Sequence, residues 1–234
     1  MSTAYIQRAR KILCIGRNYV DHIKELGNSA PSQPFFFLKP TSSVLLPGQG
    51  PILRPKGTKL HYELELAVVL NKTLKNINPE TFGEKEAIDA IEGYALALDL
   101  TARNVQDEAK KKGLPWSIAK GFDTFCPLTP LIPKSQIPDP HNAHLKLLVN
   151  GEVRQSDSTN LMLFRIPRIL SAVSSVMTLE AGDIILTGTP KGVGSIVPGD
   201  NIRGELSVDG KVVPDGVLDF PVEEKPGPYE YHET

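Results

Sequence analysis

Two glutamates one residue apart, Glu63 and Glu65, open the strand-like stretch His61-Tyr62-Glu63-Leu64-Glu65-Leu66-Ala67-Val68-Val69-Leu70. Side chains alternate faces along a strand, so both carboxylates project to one side while Leu64, Leu66, Val68 and Leu70 occupy the other. Carboxylates held side by side repel, and one of them protonates unless a cation lies between them. Asp99 is the next unusual acid. It ends the apolar run Tyr94-Ala95-Leu96-Ala97-Leu98, where an ionised carboxylate is costly unless paired or metal-bound. Joined to Glu63 and Glu65, it would complete an all-oxygen site. That donor chemistry suits Mg²⁺, with Mn²⁺ or Ca²⁺ as substitutes. About three of the roughly six Mg²⁺ positions would stay open for water and for the carboxylate and keto oxygens of a 2-oxo acid. Blander readings stand beside this one: Glu63 and Glu65 on a solvated strand face, and Asp99 capping the next helix or pairing with Arg103.

His22 and Glu25 lie at i and i+3 on a helix-like segment, close enough for the carboxylate to orient the imidazole and stabilise its charge. Such a pair activates water; it also occurs by chance on solvated helices. The polar, Pro-containing stretch from Asn28 to Pro34 reads as mobile, which would put the pair on a lid ordered by substrate. Lys120 follows a Trp-containing apolar stretch and reads either as a substrate or proton contact or as a surface lysine. The loop Gly188-Thr189-Pro190-Lys191-Gly192-Val193-Gly194 offers backbone N–H groups to a carboxylate or phosphate, or is a tight turn. It lacks the P-loop and dinucleotide spacings. No G-x-S-x-G occurs, and no serine hydrolase triad is evident.

These side chains need many short elements to position them. The 20 prolines and 19 glycines are dispersed through the chain, a punctuation that suits a strand-rich fold with irregular connections. Lys11–Gly16 reads as the first strand, Arg17–Gly27 as a short helix ending at its glycine, and Phe35–Pro40 as a buried run. Glu84–Ile91 has helical spacing. Thr101 stands where it could cap a helix carrying Arg103, Gln106, Asp107 and Lys110 on one face. Asn150-Gly151 and Asp209-Gly210 signal hairpins, and Ile166 to Met177 recurs as a packing helix with Pro167 near its start. The tail from Glu223 to Thr234 is polar and suggests no function.

A chain of 234 residues can bury a substantial core, and nothing marks a linker, so a single domain over residues 1–234 is expected. The net charge of −1 argues against a general nucleic-acid or membrane-surface binder, and no apolar run is long enough to span a bilayer. Cys14 and Cys126 form no metal or redox motif and read as core residues. Met1 to Val20 carries Arg8, Arg10, Lys11 and Arg17 and no acid before position 20, a bias shared with mitochondrial targeting segments. The early first strand leaves little room for one, and a basic start to a folded domain fits as well.

Five stretches in order carry a resemblance: the GRNY-DH-KE run from Gly16 to Glu25, FFLKP from Phe36 to Pro40, HYELELAVV from His61, ALDLTARNVQDEAKKKGLPW from Ala97 to Trp116, and GDIILTGTPKGVG from Gly182 to Gly194. From Ile12 to about Asp200 the chain resembles the fumarylacetoacetate hydrolase superfamily, in its subgroup of short single-domain acylpyruvase and oxaloacetate-handling proteins. The resemblance implies a mixed α+β fold, a strand-rich β-sandwich roll with peripheral helices and an N-terminal lid helix. It implies metal ligation by Glu63, Glu65 and Asp99, a water-activating dyad of His22 and Glu25, an active-site Lys120, and substrate contacts from Arg17, Gln106 and Thr189. It further implies a Mg²⁺-dependent enzyme acting on small 2-oxo acids through a metal-stabilised enolate: oxaloacetate tautomerisation or decarboxylation, or acylpyruvate C–C hydrolysis. The expected assembly is a homodimer and the expected compartment the mitochondrion, with the cytoplasm as alternative. The larger hydrolases of the superfamily carry a further N-terminal domain for which this chain has no room, making fumarylacetoacetate itself a less fitting substrate. Isomerisation of unsaturated dicarboxylates and non-catalytic metal or 2-oxo-acid binding are the competing functions.

Overall fold

Alternation marks only one apolar face on the Leu64–Leu70 strand, yet Ala67 and Val69 are as completely buried as Leu64, Leu66, Val68 and Leu70. A strand covered on both sides belongs in the middle of a sheet with layers above and below it. The structure, a computed structural model, describes residues 3–25, 27 and 29–233. It places this strand third in a six-stranded sheet ordered Ile132–Pro133, Ile91–Leu98, Leu64–Leu70, Ile184–Leu186, Ile12–Gly16 and Phe35–Lys39. Neighbours run antiparallel except Ile184–Leu186 and Ile12–Gly16, which are parallel.

One face of this sheet carries Leu13, Ile15, Leu64, Leu66, Val68, Leu96, Leu98 and Ile185. They pack into one core with Leu145, Leu147, Leu206, Leu218 and Phe220 of a second sheet and with Ile169, Leu170 and Val173 of the Ile166–Val176 helix. The second sheet has five strands, ordered Glu152–Ser158, His144–Val149, Asn201–Val208, Lys211–Glu224 and Ile52–Arg54. The two sheets approach closely at Gly204, where a Cβ would lie 2.7 Å from Leu64 Cδ1. Both expected hairpin turns are present, with φ of 51° and 82° at Asn150 and Gly151 and 50° and 74° at Asp209 and Gly210. These positive angles are the ones two-residue hairpin loops require.

The opposite face of the first sheet is lined by smaller residues: Ile12, Cys14, Ala67, Val69, Ala95, Ala97, Ile184 and Leu186, covered by Tyr5, Cys126 and Leu128. The rows Val69–Ala67 and Ala95–Ala97 continue by strand alternation into Glu65 and Asp99. The acids therefore stand at one end of a buried sheet face. The solvated-face reading of Glu63 and Glu65 does not hold.

Several local expectations need revision. Phe35–Lys39 is an edge strand whose three phenylalanines are only partly buried, while Lys39 is 1% exposed. The rings of Phe35 and Phe37 face the cleft described below, Phe36 packs on the core, and the Lys39 charge goes inward to an acid. The helix after the first strand covers only Val20–Glu25, because Arg17 turns with φ 54° and Tyr19 bridges to Met162. Residues 29–34, part of the stretch expected to be mobile, form no regular element, and Asn28 lies outside the described residues. The basic start is tied down by acids: Arg8 pairs with Glu92, Arg10 with Glu180 and Lys11 with Asp183. The tail packs too, with Tyr231 donating to Glu108 at 2.8 Å, while Thr234 lies outside the described residues. Cys14 and Cys126 are buried free thiols. Among the described residues, no helix is long and apolar enough to cross a membrane.

Candidate active site and metal centre

Glu63, Glu65 and Asp99 each present a carboxylate oxygen within 4.8 Å of the others. Glu63 sits between the Leu60–Tyr62 and Leu64–Leu70 strands, and Asp99 directly follows the Ile91–Leu98 strand. Pairing of Leu64 with Leu98 and of the Asp99 N–H with the Glu63 carbonyl at 2.9 Å brings the two segments into register. Oxygens around an octahedral Mg²⁺ stand about 3 Å apart when adjacent and about 4.2 Å apart when opposed, so side-chain adjustments that draw the three acids together would close this set on a hard cation. Three buried carboxylates with no sulfur or imidazole among them suit such an ion.

Fixed cations frame the acids. Lys120 Nζ lies 2.7 Å from Asp99 Oδ2 and 3.0 Å from Glu63 Oε2. Lys39 Nζ reaches Asp99 Oδ1 at 2.6 Å and the Leu100 carbonyl at 2.9 Å. The Arg103 guanidinium donates to Glu63 Oε1, to Gln106 Oε1 and to His61 Nδ1. The Thr101 hydroxyl also donates to Glu63 Oε1, at 3.2 Å. Thr101 is therefore no helix cap; the Arg103–Lys112 helix has no side-chain cap. Nor does Arg103 pair with Asp99. Burial alone would raise the Glu63 carboxyl, but the charges of Lys120 and Arg103 hold it well below the ordinary carboxylate value. Glu65 goes the other way: burial, then repulsion from Asp99 and Glu63, push it well above, against one opposing hydrogen bond from the Gly188 N–H at 2.6 Å. Burial would lower the Lys120 ammonium, yet Asp99 and Glu63 raise it. A divalent cation among the three acids would relieve the repulsion felt by Glu65.

Across from the acids, His22 is 6% exposed and its Nδ1 lies 3.3 Å from Glu25 Oε2. Both oxygens of Glu25 accept from the Gly192 N–H, at 3.1 and 3.2 Å. The helix is also tied to this loop by Asp21, 3.3 Å from Lys191 Nζ. The Gly188–Gly194 loop does bind carboxylates through its N–H groups, but they are the chain's own Glu65 and Glu25.

Of the residues singled out from sequence, Arg17, His22, Glu63, Glu65, Asp99, Gln106, Lys120 and Thr189 line one narrow cleft, and Glu25 stands behind His22. The remaining wall is aromatic. Trp116 packs on Phe35 and Phe37 at centroid distances of 6.2 and 5.4 Å, with Arg17 over Phe35, Lys110 over Trp116 and Lys120 over Phe37. The Thr189 hydroxyl is taken up within the frame, donating to the Leu64 carbonyl at 2.8 Å. The sequence suggests no role for Lys39, and for Arg103 only a pairing with Asp99 that does not form. Lys39 carried the same signal as Asp99, a charge ending an apolar run, whereas nothing in the sequence points Arg103 at Glu63.

Residues 11–215 match the model of the fumarylacetoacetate (FAA) hydrolase C-terminal family. The mitochondrial oxaloacetate tautomerase FMP41 of Saccharomyces cerevisiae is 48% identical, with the alignment covering 100% of both chains. The crystal structure of yeast ynq8, a fumarylacetoacetate hydrolase family protein, superposes with a TM-score of 0.87 at 46% identity over 99% of this chain and 100% of the other. Fumarylpyruvate hydrolase from Pseudomonas aeruginosa, solved in complex with Mn²⁺ and pyruvate, superposes with a TM-score of 0.81 at 34% identity over 93% and 91%. With its acids, strands and cleft arranged as described, and with that match spanning most of its length, the chain belongs to the fumarylacetoacetate hydrolase family.

Proposed function

We propose that this protein is a divalent-metal-dependent enzyme that acts on small 2-oxo acids, with oxaloacetate tautomerisation as its foremost reaction and oxaloacetate decarboxylation and acylpyruvate hydrolysis on the same site. The observation that carries this reading is the convergence of Glu63, Glu65 and Asp99 in one cleft that also holds His22 and Lys120. Full-length similarity to an oxaloacetate tautomerase supports the choice of reaction, and the Mn²⁺–pyruvate complex of a 34% identical hydrolase supports the substrate class. Mg²⁺ is the cation we assign, with Mn²⁺ or Ca²⁺ able to substitute, because the donors are carboxylate oxygens alone.

In this reading Glu63, Glu65 and Asp99 hold the cation. When bound, it polarises the C2 carbonyl of the substrate and stabilises negative charge on that oxygen. Lys39 and Arg103 fix the far oxygens of Asp99 and Glu63. Lys120 contributes a buried positive charge beside them. Arg17 and Gln106 contact the substrate, and Thr189 closes the side of the cleft near the Gly188–Gly194 loop. The aromatic wall of Phe35, Phe37 and Trp116 limits water around the bound acid.

The three reactions share the loss of a group from C3 and the build-up of charge on the C2 oxygen. In tautomerisation a C3 proton leaves and the C2 oxygen gains one. In decarboxylation CO₂ leaves and C3 takes up a proton. In hydrolysis water attacks the distal carbonyl, the C3–C4 bond breaks to release the acid, and C3 takes up a proton; here His22, oriented by Glu25, takes the proton of that water. We propose that the chain works as one catalytic domain over residues 1–234, as a homodimer, in the mitochondrion, the compartment of its oxaloacetate tautomerase relative.

Parallel assays of oxaloacetate tautomerisation, oxaloacetate decarboxylation and acetylpyruvate hydrolysis, with Mg²⁺, with Mn²⁺ and with excess chelator, test the reading. Turnover of oxaloacetate that chelator removes and either cation restores is expected. Absence of cation-dependent turnover in all three assays overturns it, and sedimentation analysis tests the dimer.

A further inference from the structure

A hydrogen-bonded ring joins the two sides of the cleft through a residue that lies outside it. Gln155 belongs to the Glu152–Ser158 edge strand of the second sheet, where its neighbours are largely exposed, yet it is 1% exposed. Its Oε1 accepts from the N–H of Leu64 at 3.0 Å, the residue between Glu63 and Glu65. Its Nε2 donates to Thr189 Oγ1 and to the Pro190 carbonyl, both at 2.8 Å. Thr189 Oγ1 in turn donates to the Leu64 carbonyl at 2.8 Å. One primary amide thus engages both polar groups of the Leu64 backbone, directly and through Thr189, and leads into the loop whose Gly192 N–H holds Glu25. The loop is pressed against the same strand: a Cβ at Gly192 would collide with the Arg154 carbonyl and meet Gln155 Cγ at 3.3 Å. An acceptor and two donors on one planar group are what the ring demands, and a glutamine side chain supplies them where a carboxylate would lack the donors.

We propose that Gln155 is a positioning residue for the cation site: it fixes the peptide between Glu63 and Glu65 against the Thr189–Gly192 loop, and so sets both the spacing of the carboxylates and the seat of the Glu25–His22 pair. The inference rests on the reading of Glu63, Glu65 and Asp99 as the cation-holding set. Groups hydrogen-bonded to metal ligands alter affinity by about 10–100-fold when lost, and Gln155, which acts through the Leu64 peptide, is expected at the low end of that range.

The test is titration of the full chain with Mn²⁺, followed by the electron paramagnetic resonance signal of the free ion, alongside thermal unfolding without added metal. Four proteins are compared: the parent, Gln155→Leu, Gln155→Glu and Thr159→Val. Thr159→Val is a control just beyond the end of the Glu152–Ser158 strand that removes a buried hydroxyl bonded to the backbone of Ala143. Gln155→Leu is expected to weaken Mn²⁺ binding about 10-fold or more. Gln155→Glu keeps the acceptor for Leu64 and is expected to lose less. Thr159→Val is expected to lower the melting temperature and leave the Mn²⁺ affinity unchanged. Parental affinity in both Gln155 variants overturns the proposal, as does an equal loss of affinity in Thr159→Val. If Gln155→Leu does not fold, Gln155→Glu decides alone, and parental affinity there overturns it. A parent that binds no Mn²⁺ overturns the cation reading together with this inference, whereas binding by the parent and both Gln155 variants alike overturns only the latter.

Discussion

Glu63, Glu65 and Asp99 are 7%, 2% and 1% exposed, and their partners are Lys39, Lys120, Arg103, Thr101 and the Gly188 N–H, all inside the protein or at its cleft wall. Across the same cleft, the Glu25 side chain is 35% exposed and its partners are the His22 ring and one backbone N–H. The Asp21–Lys191 pair beside it is more exposed still. The acids grow out of paired strands in a sheet covered on both faces. The histidine sits on a six-residue helix, Val20–Glu25, too short to be stable without its docking contacts. Loss of a contact costs most where the alternative partner is not water. The side that carries the three acids is thus a fixed frame, and the side that carries His22 and Glu25 is a short docked element whose outer contacts are exposed.

Asp99→Ala gives the largest effect and strikes the frame alone. It removes one oxygen from the proposed cation set, takes from Lys39 its carboxylate partner and leaves Lys120 with Glu63 alone. Loss of all three activities is expected, with Mn²⁺ binding weakened beyond detection at millimolar ion. Retained metal binding in a folded variant would break the comparison, because the frame would then not depend on its most buried acid.

His22→Ala strikes the docked side. A general base contributes about 10²–10⁴-fold to the step that needs it. Acetylpyruvate hydrolysis is expected to fall by that much, oxaloacetate decarboxylation far less, and Mn²⁺ affinity to stay within a factor of about two. Tautomerisation sharpens the picture. An equal loss there makes His22 the proton carrier for both reactions, while a retained rate leaves that task to the frame side and Lys120.

A third prediction concerns pH and returns to the frame. His61 Nδ1 accepts from Arg103 Nε at 3.3 Å, so the ring must be neutral there. Burial first, then the Arg103 charge, lower its pKa to about 4 from 6.5. A lowered folded-state value means that the unfolded chain binds the extra proton first as pH falls. The stability this group contributes is therefore fully present above pH 6.5 and is lost progressively down to about 4. Chemical denaturation of the parent and of His61→Gln between pH 7 and 4 should show a shallower acid slope in the variant. Identical slopes would remove His61 from the coupling.

Much of this frame was legible because strand periodicity is short-ranged. Residues 63 and 65 face the same way whatever the rest of the chain does, and an aspartate ending an apolar run is visible by itself. Its supports were not. Lys39 is 60 positions from Asp99, Arg103 is 40 from Glu63, and Gln155 is 91 from Leu64, and one sequence carries no record of such pairings. Thr101 misled for a related reason: a threonine before a helix can cap it, but here an acid from another strand competes for the hydroxyl. Phe35 and Phe37 misled because hydrophobicity does not distinguish a core from the wall of a cleft, whereas Phe36 between them does pack on the core. The Gly188–Gly194 loop reads as an anion contact or a tight turn, and only tertiary structure reveals that its N–H groups take the chain's own Glu65 and Glu25.

The smallest expected effect lies at the outermost contact of the docked side. Lys191 Nζ approaches Asp21 at 3.3 Å and Asp157 at 3.7 Å, and its side chain is 55% exposed. Exposed pairs of this kind contribute little, and added salt screens what they do contribute. Lys191→Ala should leave the melting temperature and Mn²⁺ affinity unchanged and lower acetylpyruvate hydrolysis by less than about threefold at low ionic strength, with the difference gone near about 0.5 M salt. A large, salt-independent loss would mean that Lys191 does more than hold the helix down, and would move the boundary of the frame outward to include the loop. A loss confined to low salt would leave Glu25 and the Gly192 N–H as the contact that seats the histidine.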